Sequence, residues 1–315
     1  MKVLIAGATG VVGSRLVPLL VASGHRVVGL TRSPAKAEAL GGVGAEARVV
    51  DAFDGNAVRS AVLEGQPEVI VHEMTALTNA SDLVHFDRAF ATTNRLRTEA
   101  LDHLIAAAEE TGARRLVAQS FCGWPYARRG GPVKTEDDPL DPEPPREMRQ
   151  TLDAIRHLES SVVGLRELEG VVLRYGAFYG PRSGLFDGPF LGQLRARRVP
   201  MIGEGGGWWS FLHIDDAASA TARAIETGDP GVYNIVDDEP TPVREWLPAL
   251  AAMLGAKPPR RIPAWVARIA VGEHLVAMMT ESRAGSNAKA RQALGWRPAY
   301  ASWRQGFAEV IASDA

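Results

Sequence analysis

An α/β fold wound on both faces of a parallel sheet is what this sequence predicts, and three observations carry it. The chain opens on a β-rich run, Lys2–Ala6, that passes directly into a glycine-spaced turn and then into an apolar helical stretch. Short apolar runs alternate with helical repeats as far as residue 176. Its 315 residues, 46% of them hydrophobic, are enough to bury the core such a fold needs.

The elements follow in order. After the turn, 11–22 has helical apolar spacing with Pro18 inside it, which predicts a bend. Strands are predicted at 26–30, 47–50, 69–73 and 115–120, with helices at 34–40 and 56–63 and one long helix over 86–110. Residues 123–145 are rich in Pro, Gly and acids with no periodicity, so they read as a loop of the length that serves as a lid or binding segment, or as a solvated excursion. A helix over 149–168 and a strand over 171–174 resume the pattern. Beyond Gly176 the elements shorten, with a hairpin-like stretch at 203–211 and a tail containing Leu294-Gly295-Trp296-Arg297-Pro298. The expected division is a nucleotide-binding part, 1–176 with 211–237, and a smaller substrate-binding part, 177–210 with 238–315. There is no internal repeat.

Charge excludes several functions. With 35 Lys+Arg against 37 Asp+Glu the formal net charge is −2, and no block of like charges offers a surface to nucleic acid or an anionic membrane. The apolar runs are too short to span a bilayer, and residues 1–13 lack the charged start of a signal peptide, so a cytoplasmic location is expected. The single cysteine, Cys122, excludes an internal disulfide, and no two of the seven histidines stand four apart, so no metal site is expected.

The turn is Gly7-Ala8-Thr9-Gly10-Val11-Val12-Gly13, placed after a strand and opening a helix. Glycines there let the backbone approach a pyrophosphate while the helix amides receive its charge, which points to a dinucleotide on a Rossmann sheet. Where the second strand ends, an NAD-binding chain carries an acid for the ribose 2′-hydroxyl. This one has Thr31-Arg32-Ser33, a guanidinium between two hydroxyls, which suits a 2′-phosphate and predicts NADP(H). By position, Asp51 and Ala52 fall beside the adenine, and Met74, Thr75, Asn94 and Tyr175 fall along the rest of the cofactor.

With that turn, His72 to Ala76, Ser120, the run Leu173-Arg174-Tyr175-Gly176-Ala177-Phe178-Tyr179-Gly180-Pro181 and His213-Ile214-Asp215-Asp216, the chain resembles the extended short-chain dehydrogenase/reductases, often labelled NAD-dependent epimerase/dehydratases. The resemblance implies a serine after the fifth strand and a Tyr-x-x-x-Lys pair on the next helix, the tyrosine moving the proton and the lysine lowering its pKa and holding the ribose. Ser120 matches the serine, and Trp124-Pro125 stands where the family has Tyr-Gly. The pair does not match. Counting back from Glu159 puts Thr151 and Ile155 at its positions, and the residues four beyond the five tyrosines are Gly130, Tyr179, Ser183, Asp237 and Arg304. Trp209 stands where relatives acting on nucleotide-sugars carry an arginine for the diphosphate, and an indole suits an aromatic or apolar pocket instead.

The expectation is therefore an NADPH-dependent ketoreductase for an apolar or aromatic small molecule, analogous to ketoreductases of aromatic polyketide tailoring. Ser120 would hold the carbonyl, and the proton would come from Tyr126, Tyr175, His157, water or a hydroxyl on the substrate. Trp124, Phe178 and Trp209 would line the pocket, with Asn94 and Thr98 as supports that serve equally as ordinary helix residues. Each candidate has a plainer role: Tyr126 as a loop anchor, Tyr175 and Trp208 in the core, Arg32 and His157 on the surface. A sugar-nucleotide epimerase or dehydratase and a non-catalytic NADP(H)-binding sensor stay open as alternatives. The resemblance also allows a homodimer through 86–110 and 149–168.

Overall fold

The computed structural model describes residues 1–77, 83–183 and 189–313. Seven strands, β1 (Lys2–Ala6), β2 (Arg26–Thr31), β3 (Glu46–Val49), β4 (Val69–His72), β5 (Arg115–Phe121), β6 (Glu169–Tyr175) and β7 (Gly231–Ile235), form one sheet in the order 3-2-1-4-5-6-7. Every pairing in it is parallel, so every connection is a crossover. The order reverses between β1 and β4, and in such sheets the crevice for ligands lies beyond the strand ends at that point.

Alternation along the strands loads both faces. Val3 and Ile5 of β1 and Val117 of β5 pack with α1 (Gly13–Ala22) on one side, while Leu4, Ala6, Leu116 and Ala118 pack on the other with α3 (Gly55–Gly65) and the helices after β4. Among those helices the expected long one is broken into α4 (Phe86–Ala89), α5 (Ala91–Arg97) and α6 (Glu99–Thr111). The second break has a local cause and a distant one. Thr98, at φ −110° and ψ −85°, turns its hydroxyl back to the Asn94 carbonyl, and the Leu96 carbonyl accepts from His72 Nε2 at 2.9 Å. A carbonyl taken by the sheet is one the helix does not need, so the chain bends there without leaving it bare.

The helix predicted over 149–168 is α7 (Arg149–Val163), ending at Gly164. Residues 203–211 do not form a hairpin: Trp208–Trp209 pairs antiparallel with Thr241–Pro242, and Phe211–His213 runs parallel to Ala177–Tyr179. Glycine spacing signalled a turn, but the partners come from far along the chain. After a short helix α8 (Pro189–Arg195), α9 (Ile214–Glu226) returns to the sheet and packs on α1. A third apolar cluster, with Phe211, Trp246, Trp303 and Phe307, is a separate core, whereas Leu294 and Trp296 of the tail join the core of the sheet, the indole donating to Ser219.

Candidate active site

The glycine turn ends β1 at the switch point. Gly7 sits at φ +96°, and a Cβ there would lie 2.5 Å from the Glu73 carbonyl oxygen, so only glycine lets β1 run this close to the end of β4. A Cβ on Gly13 would press into the Gly7 carbonyl, and one on Gly10 would stand 3.2 Å from it. Val12 caps α1 with no side-chain hydrogen bond; the Ser14 and Arg15 amides go to the Gly10 and Val12 carbonyls, while those of Val11, Val12 and Gly13 have no backbone partner among the described residues and keep their donors for a ligand. Thr9 and Val11 are half-buried beside the exposed Gly10. Such a cradle, with bare amides and no room for side chains, fits the pyrophosphate of a dinucleotide.

The end of β2 is equally open. Arg32 is exposed and makes no hydrogen bond or ion pair among the described residues, free to meet a phosphate. Its neighbours are less free: Thr31 Oγ1 accepts from the Ser33 amide at 3.3 Å, and the Ser33 hydroxyl caps α2 (Pro34–Gly42) by accepting from Lys36. Asp51 is exposed and accepts from the Phe53 amide at 3.1 Å, and the Ala52 carbonyl takes a hydrogen bond from His103. Met74 is half-buried and Thr75 exposed just past β4.

The end of β5 is built differently. Ser120 donates to Glu159 Oε1 at 2.7 Å, Arg174 meets both oxygens of that carboxylate at 2.8 and 2.6 Å, and the same guanidinium donates to the Tyr126 hydroxyl at 2.9 Å. Tyr126 in turn donates to Asn234 Oδ1 at 2.7 Å. All five residues are buried, and burial pushes the Tyr126 phenol well above its ordinary pKa. Cys122, enclosed beside them, is pushed up to about 12 by burial, which leaves it a thiol. The structure thus joins Ser120 and Tyr126 through a bidentate ion pair, with every hydroxyl proton committed inside the protein.

Tyr175 lies elsewhere. Its side chain points to the α1 and α9 face, where the phenol donates to Glu73 Oε1 at 2.7 Å and lies 2.6 Å from Thr221 Oγ1. Glu73, at the foot of the glycine turn, is a residue that inspection of the sequence missed. Its second oxygen is buried without a partner, and burial raises its pKa to about 8, so the carboxyl is largely protonated at neutral pH. The signal available was an acid closing the otherwise apolar Val69–His72.

Thr151 and Ile155, the residues expected at the places of the family's pair, are on the buried face of α7. Thr151 donates to Asp87 Oδ1 at 2.7 Å and accepts from Asn94 Nδ2 at 3.1 Å, and Asp87 also takes the amides of Gln150 and Thr151, closing the start of the helix. Ile155, one turn on, is 1% exposed in apolar packing. His157 is on the outer side, hydrogen-bonded to Asp102 at 2.8 Å. The second residue missed is Arg97, 7% exposed on α5, with Nη1 buried and no partner among the described residues. Its position was readable: Thr93, Leu96, Arg97, Ala100, Leu101 and Leu104 make one helical stripe, and the stripe is buried.

Aromatic rings form separate sets. Trp124 meets Phe86 edge-on at 5.4 Å and lies 6.3 Å from Phe121, while Phe86 stacks on Phe90 at 4.4 Å. Phe178 packs against Tyr175 at 5.4 Å. Trp209 instead packs on Trp246 and Phe211 and donates its indole N–H to the Met278 carbonyl at 3.1 Å, so it stands with the third apolar cluster. Among the described residues no cluster of His, Cys, Asp and Glu could hold a metal, and no helix is long and apolar enough to cross a membrane.

Three comparisons place this architecture. At 44% identity, covering 98% of this chain and 99% of the relative, it is similar to a protein from a Streptomyces species named 3-diazoavenalumate denitrifying reductase. Its fold matches the UDP-glucose 4-epimerase of Thermus thermophilus in complex with NAD (TM-score 0.74, 24% identity, 99% of this chain and 98% of that one). It also matches the human epimerase family protein SDR39U1 with NADPH (TM-score 0.75, 20% identity, 99% of both chains). The model of the NAD dependent epimerase/dehydratase family matches residues 3–236, from the first strand to the last of the sheet, and the chain belongs to that family, the extended short-chain dehydrogenase/reductases.

Proposed function

We propose that the protein is an NADPH-dependent reductase of an aromatic small molecule, acting on an electrophile that needs no proton from the protein. The observation that carries it is the chemistry of the site where the family keeps its acid: Thr151 and Ile155 hold those places, and the hydroxyls of Ser120, Tyr126 and Tyr175 are all donating to buried acceptors. In this reading Gly7 to Gly13 hold the pyrophosphate and Arg32 the 2′-phosphate, Asn94 and Met74 to Thr75 border the ribose and nicotinamide, and Trp124, Phe121 and Phe178 shape the aromatic pocket. Ser120 and Tyr126 position the floor of the site.

When bound, the reduced nicotinamide supplies a hydride. An aryl diazonium balances on that alone: the hydride adds at the ring carbon, the carbon–nitrogen bond breaks with its electrons on nitrogen, and dinitrogen leaves. A ketone, the acceptor expected from the sequence, must also gain a proton on oxygen, which in this site falls to water or to a hydroxyl of the substrate. The relative's name, a reductase that removes nitrogen from a diazo compound, supports the first acceptor.

The test is anaerobic turnover of NADPH with a diazo-arene and with an aromatic ketone of similar size, following dinitrogen and the reduced arene above the enzyme-free rate. One dinitrogen per NADPH is the expected result. Turnover of the ketone alone moves the assignment to a ketoreductase, and cofactor binding with neither activity moves it to a sensor.

A further inference from the structure

Two orphaned polar groups face the same seam. On α5, Asn94 Oδ1 and Arg97 Nη1, three residues apart and so on one side of the helix, are both buried without hydrogen-bond partners among the described residues. The helices of the seam, α5 with α6 and α7 beside them, are held in register by two contacts, Asn94 with Thr151 and Asp102 with His157. Those rungs bracket Arg97 along one helix path and Ile155 along the other, the latter the place that, by the resemblance, the family fills with lysine.

The charge there is unbalanced. The carboxylate acting on Arg97 is Glu159, yet both its oxygens already bind Arg174 and one also takes Ser120. Burial lowers the affinity of His72 for a proton, which keeps that neighbour neutral. Two guanidinium groups thus share one carboxylate, and a buried charge without a counter-ion is costly enough that a protein retains it where a ligand completes it. Burial brings the Arg97 pKa down to about 10, so it stays a cation at neutral pH.

We propose that Arg97 is the anchor for a carboxylate on the substrate, which makes the preferred ligand an aromatic acid. A planar guanidinium pairs with a carboxylate through two parallel hydrogen bonds, fixing the orientation of the ring as well as its place. Ile155 gives this cation its room, because a lysine in that position would repel it. The proposal rests on the reading of the substrate as aromatic and narrows it to an anion.

Calorimetric titration of the NADPH complex with cinnamate and with cinnamamide, for the wild type and for Arg97→Gln and Arg97→Lys, tests it without turnover. The wild type is expected to bind cinnamate at least tenfold more tightly than the amide, Arg97→Lys to keep part of that preference, and Arg97→Gln to bind the two alike. No preference in the wild type, no binding of either compound, or a preference that survives in Arg97→Gln overturns the proposal. So does an Arg97→Gln variant that loses NADPH affinity while still favouring cinnamate, which would assign the cation to the ribose. Circular dichroism melting of each variant separates these outcomes from a failure to fold, and Arg97→Lys carries the comparison if Arg97→Gln does not fold. A carboxylate preference without reduction of any aromatic acceptor upholds the anion site and sinks the reductase reading instead.

Discussion

The same edge of the sheet ends in two contrasting ways. At β1 and β2 the glycine turn sheds side chains and leaves the Val11 to Gly13 amides and Arg32 with no partner among the described residues. At β5 and β6, beyond β4 in the sheet, the Ser120 and Tyr126 hydroxyls are spent on Glu159 and Asn234, and Arg174 holds both oxygens of Glu159. An open end recognises a ligand because its donors are unspent, whereas a closed end lends rigidity and leaves the reaction to what the ligand brings. The seam between α5 and α7 belongs to neither: it is buried like the second and unsatisfied like the first.

Substitutions can break this contrast. The largest effect is expected from Gly13→Ala, whose methyl group would press into the Gly7 carbonyl. Loss of measurable NADPH binding by calorimetry, on the order of a hundredfold or more, would come with a lower melting temperature. At the closed end Glu159→Gln leaves Arg174 and Arg97 buried without an anion and should cost about 3–5 kcal/mol in urea unfolding, as for other buried pairs broken on one side. Arg32→Ala should weaken NADPH binding by about 10–100-fold and NADH binding little, the loss of one charge-assisted phosphate contact. Equal losses for both cofactors would remove Arg32 from the 2′-phosphate.

Glu73 gives a pH signature of known sign. Its pKa is raised from 4.5 unfolded to about 8 folded, so the folded protein holds the proton longer, and stability is full below about pH 4.5 and falls as pH rises to about 8. Glu73→Gln should flatten this contribution, whose slope is at most about 1.4 kcal/mol per pH unit, in urea midpoints taken between pH 5 and 9. Smallest is Ser120→Ala, expected to cost about 1 kcal/mol while leaving turnover within a few-fold, since Glu159 keeps Arg174. A large loss of turnover with an unchanged melting temperature would return Ser120 to the chemistry.

The sequence by itself determined the parallel sheet, its crossovers and the glycine turn at its switch point, because strand alternation, helical stripes and glycine spacing are local signals that act over a few residues. It also determined that no tyrosine has a lysine four residues on. Only the tertiary structure decided where the remaining polar groups point. Ser120 and Tyr126 meet through Glu159 and Arg174, which lie 39 and 54 residues beyond Ser120, and Tyr175 turns to Glu73 on the opposite face. The break at Thr98 and the partners of Trp208–Trp209 and Phe211–His213 were likewise settled at a distance. A side chain's hydrogen-bonding partner depends on which strands become neighbours. That is a property of the crossovers rather than of the residues beside it.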